Sequence, residues 1–155
     1  MTDVFAIGDS VMQGAGSELY ATLPAAIPGI RIDAAPSRQL RHAPAIVEAA
    51  FTVAPMPDVL VVHLGTNGLF ADSAFDSLVE AAAGVSTIVV LTIKAPREWE
   101  KEVNDRLRRG VERHTAIAKL LDWHALADPD SLKPDGFHLT RPGAARYAEL
   151  VADAL

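Results

Sequence analysis

The feature that most constrains the fold of this chain is an alternation. Short, almost uninterrupted apolar runs are separated by longer segments with helical periodicity. Val4–Ile7, Ile30–Asp33, Val59–His63 and Ile88–Ile93 read as strands, and Leu120–Asp122 as a weaker fifth. The most continuous of them are rich in Val, Ile and Leu, the pattern of strands buried on both faces of a parallel sheet. Between them, Ser10–Ala25, Gln39–Ala54, Ala71–Ala83, Trp99–Lys119 and Pro142–Ala154 read as helices. Pro142 suits a first helical turn, where its missing N–H would have no partner anyway. The β-α-β-α order predicts an α/β fold, a three-layer α/β/α sandwich with right-handed crossovers. With 155 residues, half of them hydrophobic, a single domain spanning 1–155 is expected. No repeat, low-complexity tract or interdomain linker interrupts it.

This architecture gives four separate segments one address. In open parallel sheets, ligands bind beyond the carboxyl ends of the strands. Gly8-Asp9-Ser10 follows the first strand, Ala34–Arg38 the second and Gly65-Thr66-Asn67 the third; Asp135-Gly136-Phe137-His138 follows the last. Together they supply a serine, a histidine and a carboxylate. A serine hydroxyl attacks a carbonyl only when a neighbouring base takes its proton and a third group orients that base. Asp135 and His138 are three residues apart, a spacing that one turn of helix-like backbone would place on one side. Asn67 can offer its side-chain amide to a developing oxyanion, and the start of a helix at Ser10 favours negative charge nearby.

Each motif also has a plainer use. Ser10 can be a helix N-cap, Asn67 a turn residue before Gly68, and Pro134-Asp135-Gly136 a surface turn carrying His138. Asp9 reads as a hydrogen-bonding residue of the first turn or as an Asx-turn residue, not as a catalytic group. His63 ends a buried strand and reads as a core histidine. His42, His114 and His124 have no matching ligand set, so no metal is expected. The glycines Gly8, Gly14 and Gly16 fit neither a phosphate loop nor a dinucleotide motif, and no cofactor is expected.

Composition narrows the classes further. A net charge of −6 leaves no chain-wide basic surface, so nucleic acid is not an expected partner. Arg106, Arg108, Arg109 and Arg113 share a segment with Glu100, Glu102, Asp105 and Glu112 and read as a solvated helix face. The absence of cysteine excludes disulfides and thiolate catalysis. No apolar run is long enough to span a membrane, and the start of the chain lacks a signal-peptide pattern. The expectation is either a cytoplasmic protein or a soluble domain cut from something larger.

Taken together, these residues make the chain resemble the SGNH, or GDSL-type, hydrolases from Gly8 to about Tyr147. The resemblance rests on Gly8-Asp9-Ser10, Gly65-Thr66-Asn67 and Asp135–His138 in family order, with Leu139-Thr140-Arg141-Pro142-Gly143 continuing the last block. It implies a flavodoxin-like five-stranded parallel sheet of order 2-1-3-4-5. It also implies Ser10 as nucleophile, His138 as general base and acid, Asp135 as its orienter, and an oxyanion hole from the Ser10 and Arg38 backbone amides and the Asn67 side chain. Arg38 stands where the family usually has glycine. Ser37-Arg38-Gln39, Gly8–Met12, Leu64–Gly68 and Ala95–Glu100 with Val103-Asn104 are similar to the SGNH domains attached to membrane acyltransferases of the peptidoglycan and polysaccharide O-acetyltransferase type.

By that resemblance the chain is a serine esterase or O-acetyltransferase acting on a glycan or small ester through an acyl-Ser10 intermediate. It would be monomeric, without inserting into the membrane itself. It would be extracytoplasmic if part of such a membrane protein, with Arg97 and Trp99 bordering the site. The competing expectation is a degenerate SGNH module that binds an acylated glycan without turning it over. A phosphoacceptor receiver domain would need an acidic cluster after the first strand and an Asp after the third, and the sequence has neither.

Overall fold

The computed structural model describes residues 2–23 and 27–155. Five parallel strands form one sheet, β1 (Val4–Gly8), β2 (Ile30–Ala34), β3 (Val59–His63), β4 (Thr87–Leu91) and β5 (Ala118–Leu121), in the order β2-β1-β3-β4-β5. The register aligns Gly8 with Ala34 on one side and with His63 on the other, so three strand ends lie level at the carboxyl edge. Strand alternation divides the core into two layers. Val4 and Ala6 face the first layer, with Val61, Val89 and Leu91, and are covered by Met12 and Leu19 of α1 (Ser10–Thr22) and by Tyr147 and Val151. Phe5 and Ile7 face the second, with Leu60, Val62 and Val90. This layer is covered by α2 (Ala43–Val53), α3 (Asp72–Ala81) and α4 (Glu100–Arg113) through Val47, Phe75, Leu78, Val103 and Leu107. The expected three-layer α/β/α fold and its 2-1-3-4-5 order are therefore present.

Several boundaries differ from the sequence expectation, each for a local reason. β4 stops at Leu91 instead of Ile93, because the Asn104 side chain takes both the Ile93 N–H (2.8 Å) and the Ile93 carbonyl (2.9 Å) out of the ladder. The segment read as Gln39–Ala54 is two elements: a 3-10 turn over Leu40–His42, then α2 with Pro44 in its first turn. The long helix read as Trp99–Lys119 ends at Arg113, because Ala118–Leu121 pairs with β4 as the edge strand. There, strand pairing overrides a segment that reads equally well as helix. The first helix is described to Thr22, and the end expected at Ala25 lies outside the described residues. Two short elements had no sequence signal: α5 (Trp123–Leu126) and a 3-10 turn over Pro129–Ser131. They anchor the start of the last connection, which runs to α6 (Arg141–Asp153) and carries Asp135 and His138.

Candidate active site

Ser10 is the first residue of α1, and the cap before it is Asp9, whose Oδ1 accepts from the Val11 amide at 2.9 Å. The turn from β1 into α1 is tight. A Cβ on Gly8 would stand 2.5 Å from the Met12 Cβ, so only glycine fits where strand and helix meet. Among the described residues the Ser10 amide has no protein acceptor, as expected for the first N–H of a helix.

Asp135 and His138 do not lie on a helical turn, as the spacing suggested. They form a closed loop between an isolated bridge, Leu132 to Leu139. The Lys133 amide donates to the His138 carbonyl at 2.8 Å, and the Gly136 amide to the Lys133 carbonyl at 2.9 Å. Gly136 takes a left-handed conformation (φ +80°), which side-chain-bearing residues rarely adopt. The turn that formed the plainer reading is thus real, and it is also what aims the imidazole. Asp135 Oδ1 accepts from the Phe137 and His138 amides at 3.1 and 3.0 Å, and Asp135 Oδ2 meets His138 Nδ1 at 2.7 Å. His138 Nε2 stands 3.2 Å from Ser10 Oγ, across 128 residues of sequence. Burial works to raise the Asp135 pKa, but the hydrogen bonds from the imidazole and the two amides outweigh it and hold the carboxyl down to about 2.

The other two expected oxyanion residues meet in the next loops. Asn67 Nδ2 donates to the Arg38 carbonyl at 3.0 Å, and the Gln39 side-chain amide donates to the Asn67 carbonyl at 2.9 Å. Ser37 adopts φ +66°, and the Arg38 guanidinium returns to the Asp33 carbonyl and carboxylate, both at 2.6 Å. The Arg38 side chain is therefore a brace for its own loop. Among the described residues its backbone N–H, like that of Ser10, has no protein acceptor. Ser10, Gln13, Gly14, Pro36, Ser37, Asn67, Phe137 and His138 line an open cleft of about 480 Å³.

Beneath Ser10 lies a buried polar group. Asp9 and His63 are almost wholly buried, and His63 Nδ1 meets the Tyr147 hydroxyl at 2.9 Å. Burial raises the Asp9 carboxyl pKa against the pull of His63; it also lowers the His63 pKa and lifts the Tyr147 hydroxyl well above its usual value. The other histidines serve structure: His42 Nδ1 accepts the Gln39 amide, His114 pairs with Asp76 and His124 with Glu100. The basic face of α4 is matched by acids, including Arg106 with Glu102 and Arg113 with Asp76.

Three contacts near the cleft involve Phe137 and the two residues that the resemblance set at its border, Arg97 and Trp99. The Phe137 ring packs 4.1 Å from the His138 ring, centre to centre, and the Arg97 guanidinium lies 5.0 Å from the Phe137 ring centre. Trp99 Nε1 donates to the Thr66 carbonyl at 3.1 Å, which braces the loop holding Asn67.

No protein-family model matches the chain. Among curated proteins it is 32% identical over 155 residues to the provisionally named peptidoglycan O-acetyltransferase YrhL of Bacillus subtilis strain 168, covering 99% of this chain and 24% of that protein. It is 29% identical over 157 residues to the peptidoglycan O-acetyltransferase OatA of Listeria monocytogenes, covering all of this chain and again 24% of that protein. The C-terminal catalytic domain of the Streptococcus pneumoniae enzyme OatA superposes with a TM-score of 0.84 at 24% identity, over 99% of this chain and 92% of that domain.

The chain has the fold of the SGNH/GDSL-type hydrolases, and its sequence is similar to one part of curated O-acetyltransferases. It spans 24% of the length of the curated relatives it matches, so it corresponds to one part of those longer proteins. The same SGNH fold is seen in a family 3 carbohydrate esterase of Clostridium thermocellum, with a TM-score of 0.79 at 16% identity over 98% of this chain and 94% of that one. No helix among the described residues is long and apolar enough to cross a membrane.

Proposed function

We propose that this SGNH domain is a serine-dependent acyl-ester enzyme that moves or removes a small acyl group, chiefly acetyl, on a peptidoglycan-type glycan. The observation that carries the proposal is the hydrogen-bonded chain from Asp135 through His138 to Ser10. With Asp135 on Nδ1, the proton of the neutral imidazole sits on that nitrogen and leaves Nε2 free to accept from Ser10 Oγ. A separation of 3.2 Å is normal for an unliganded site, since such contacts tighten when substrate binds.

In the proposed reaction, Ser10 Oγ bonds to the acyl carbon as its proton passes to His138 Nε2. The carbonyl electron pair moves onto oxygen, where the Ser10 and Arg38 amides and the second Asn67 amide hydrogen would receive it. The positive end of α1 adds to that stabilisation. When the carbonyl re-forms, the bond to the leaving alcohol breaks, and His138 hands its proton to that alcohol. Water or a glycan hydroxyl then attacks acyl-Ser10 by the same steps in reverse. The glycan assignment draws on the names of the relatives and on the motifs shared with membrane-attached acyltransferase domains. By the same argument, the chain is the catalytic portion of a longer, extracytoplasmic enzyme. A glycan-binding module without turnover would not need the imidazole aimed at Ser10, and that aim weighs against it.

The test is acetate release from an activated acetyl ester, with and without a glycan acceptor, using Ser10→Ala as the blank. Ser10-dependent release that acceptor diverts into acetylated glycan supports a transferase, and release that ignores acceptors supports an esterase. Full activity in Ser10→Ala refutes the proposal.

A further inference from the structure

We infer that Arg97, seated on the Phe137 ring at the edge of the Ser10 cleft, forms an anion subsite for a carboxylate on the sugar that carries or receives the acyl group. The inference rests on the acyl-transfer reading above and adds a substrate feature to it.

The first observation is charge pairing. In a chain of net charge −6, most arginines are neutralised by carboxylates. Arg31 pairs with Asp3, Arg38 with Asp33, Arg108 with Asp105, Arg109 with Asp72, and Arg146 with Asp128. Among the described residues Arg97 has no such partner, and Glu98, next to it in sequence, makes no ion pair with it. Arg41 and Arg141 also lack a carboxylate among the described residues, but of these two only Arg41 is linked to the site: its Nε donates to the Gln39 side chain, which in turn holds the Asn67 carbonyl. The uncompensated cations linked to the site by these contacts therefore add positive potential around a cleft whose own lining carries no basic side chain except His138.

The second observation is geometry. The Arg97 carbon Cζ lies 5.0 Å from the Phe137 ring centre, and that ring is 4.1 Å from the His138 ring centre. Phe137 also lines the cleft. The guanidinium is thus within a sugar ring's reach of the reacting atoms. A guanidinium over an aromatic face is held by the ring's quadrupole, and among the described residues no Arg97 side-chain N–H is engaged by a protein acceptor, so its donors are open to a ligand. Those donors match a carboxylate in a two-pronged arrangement.

The third observation is preorganisation. The Arg97 amide donates to the Ala95 carbonyl at 2.8 Å, and the Arg97 carbonyl accepts the Glu100 amide at 3.1 Å. Glu100 Oε2 accepts the Ala95 amide at 2.6 Å. Pro96 lies against Gly136, where an added Cβ would stand 3.3 Å from the proline ring, so the Arg97 loop abuts the loop that aims His138. A cation held on such a braced loop loses little freedom when it binds.

The test uses two probes: an O-acetylated N-acetylhexosamine glycoside bearing a carboxylic-acid ether, and the same compound with the acid capped as a primary amide. The readout is the ratio of kcat/KM for the acid to that for the amide, in wild type, Arg97→Gln and Arg97→Lys. Wild type is expected to prefer the acid. In Arg97→Gln the ratio falls about 10-fold, with Arg97→Lys in between, and added salt lowers the wild-type ratio. A wild-type ratio near one, or one that Arg97→Gln leaves unchanged, overturns the subsite. Equal losses on both probes also overturn it, because Arg97 would then act only by placing Phe137 and His138. Failure of the underlying reading looks different: Ser10→Ala would still turn over the amide-capped probe.

Discussion

Gly143→Ala is the substitution that most severely tests how this fold holds its site. Gly143 lies in the first turn of α6, and a Cβ there would stand 1.9 Å from the Ser131 carbonyl oxygen, 2.7 Å from its carbon and 2.9 Å from the Ser131 Cα. Ordinary contact begins near 3.4 Å, so the two segments would have to part by about 1.5 Å. Neither side can yield as a flexible side chain would. Ser131 is buried, its carbonyl accepts the Thr140 amide at 3.0 Å, and Thr140 caps α6 through the Gly143 amide at 3.1 Å. Overpacking costs about 1–3 kcal/mol in typical cores, and a clash with backbone belongs at the upper end, about 3 kcal/mol. For a chain of this size that lowers Tm by roughly 6–12 °C. The clashing residues also bracket the loop carrying Asp135 and His138, so displacement of the imidazole by about 1 Å lowers kcat by about 100-fold. Gly16→Ala is the control. It lies inside α1 with nothing within 4 Å of the new Cβ, and it stabilises by about 0.5–1 kcal/mol. Urea denaturation and ester turnover of the two variants decide the matter. Wild-type stability in Gly143→Ala, or equal damage from both alanines, would refute the reasoning.

Asn67→Ala removes the side-chain donor proposed for the oxyanion, and kcat on an activated ester falls about 100- to 1000-fold. A change confined to KM would make Asn67 a binding residue instead. Asp135 gives a pH expectation. Its carboxyl is held at about 2 against an ordinary 3.8, so its ionic contacts add stability that is complete above the unfolded value and lost as pH falls towards 2. With the side chain 40% exposed, solvent screening limits that contribution to under about 1 kcal/mol. A carboxyl-carbon NMR titration is expected to place the Asp135 midpoint near 2, and a midpoint at or above 3.8 contradicts the geometry.

The strands and the site were legible in the sequence for different reasons. Val4–Ile7 and Val59–His63 are read correctly because strands buried on both faces leave no room for polar residues. Ser10 and Asn67 stand out because glycine-bearing turns at strand ends are where a parallel sheet exposes side chains, and His138 because it stands three residues from a carboxylate in the loop before the last helix. What was not legible depends on contacts distant in sequence. Asn104 ends β4 through a side-chain bond pair that no periodicity encodes. The edge strand Ala118–Leu121 is set by its pairing with β4, not by its own pattern. The Asp135–His138 loop offers two readings by spacing, a helical turn or a surface turn, and the bonds from Lys133 and Gly136 select the second. The bracing of Arg38 by Asp33 and of Asn67 by Gln39 likewise depends on loops meeting in space.

The central claim, that Ser10 is a nucleophile served by His138, is tested most directly by trapping the covalent intermediate. The protein would be mixed with 4-nitrophenyl acetate, quenched in acid during turnover, and digested for peptide mass spectrometry. The expected result is a single acetyl group on Ser10 that builds up in wild type, is much slower to form in His138→Ala, and is absent in Ser10→Ala. Turnover in Ser10→Ala, or an acetyl group mapped to another residue while Ser10 stays unmodified, would contradict the account.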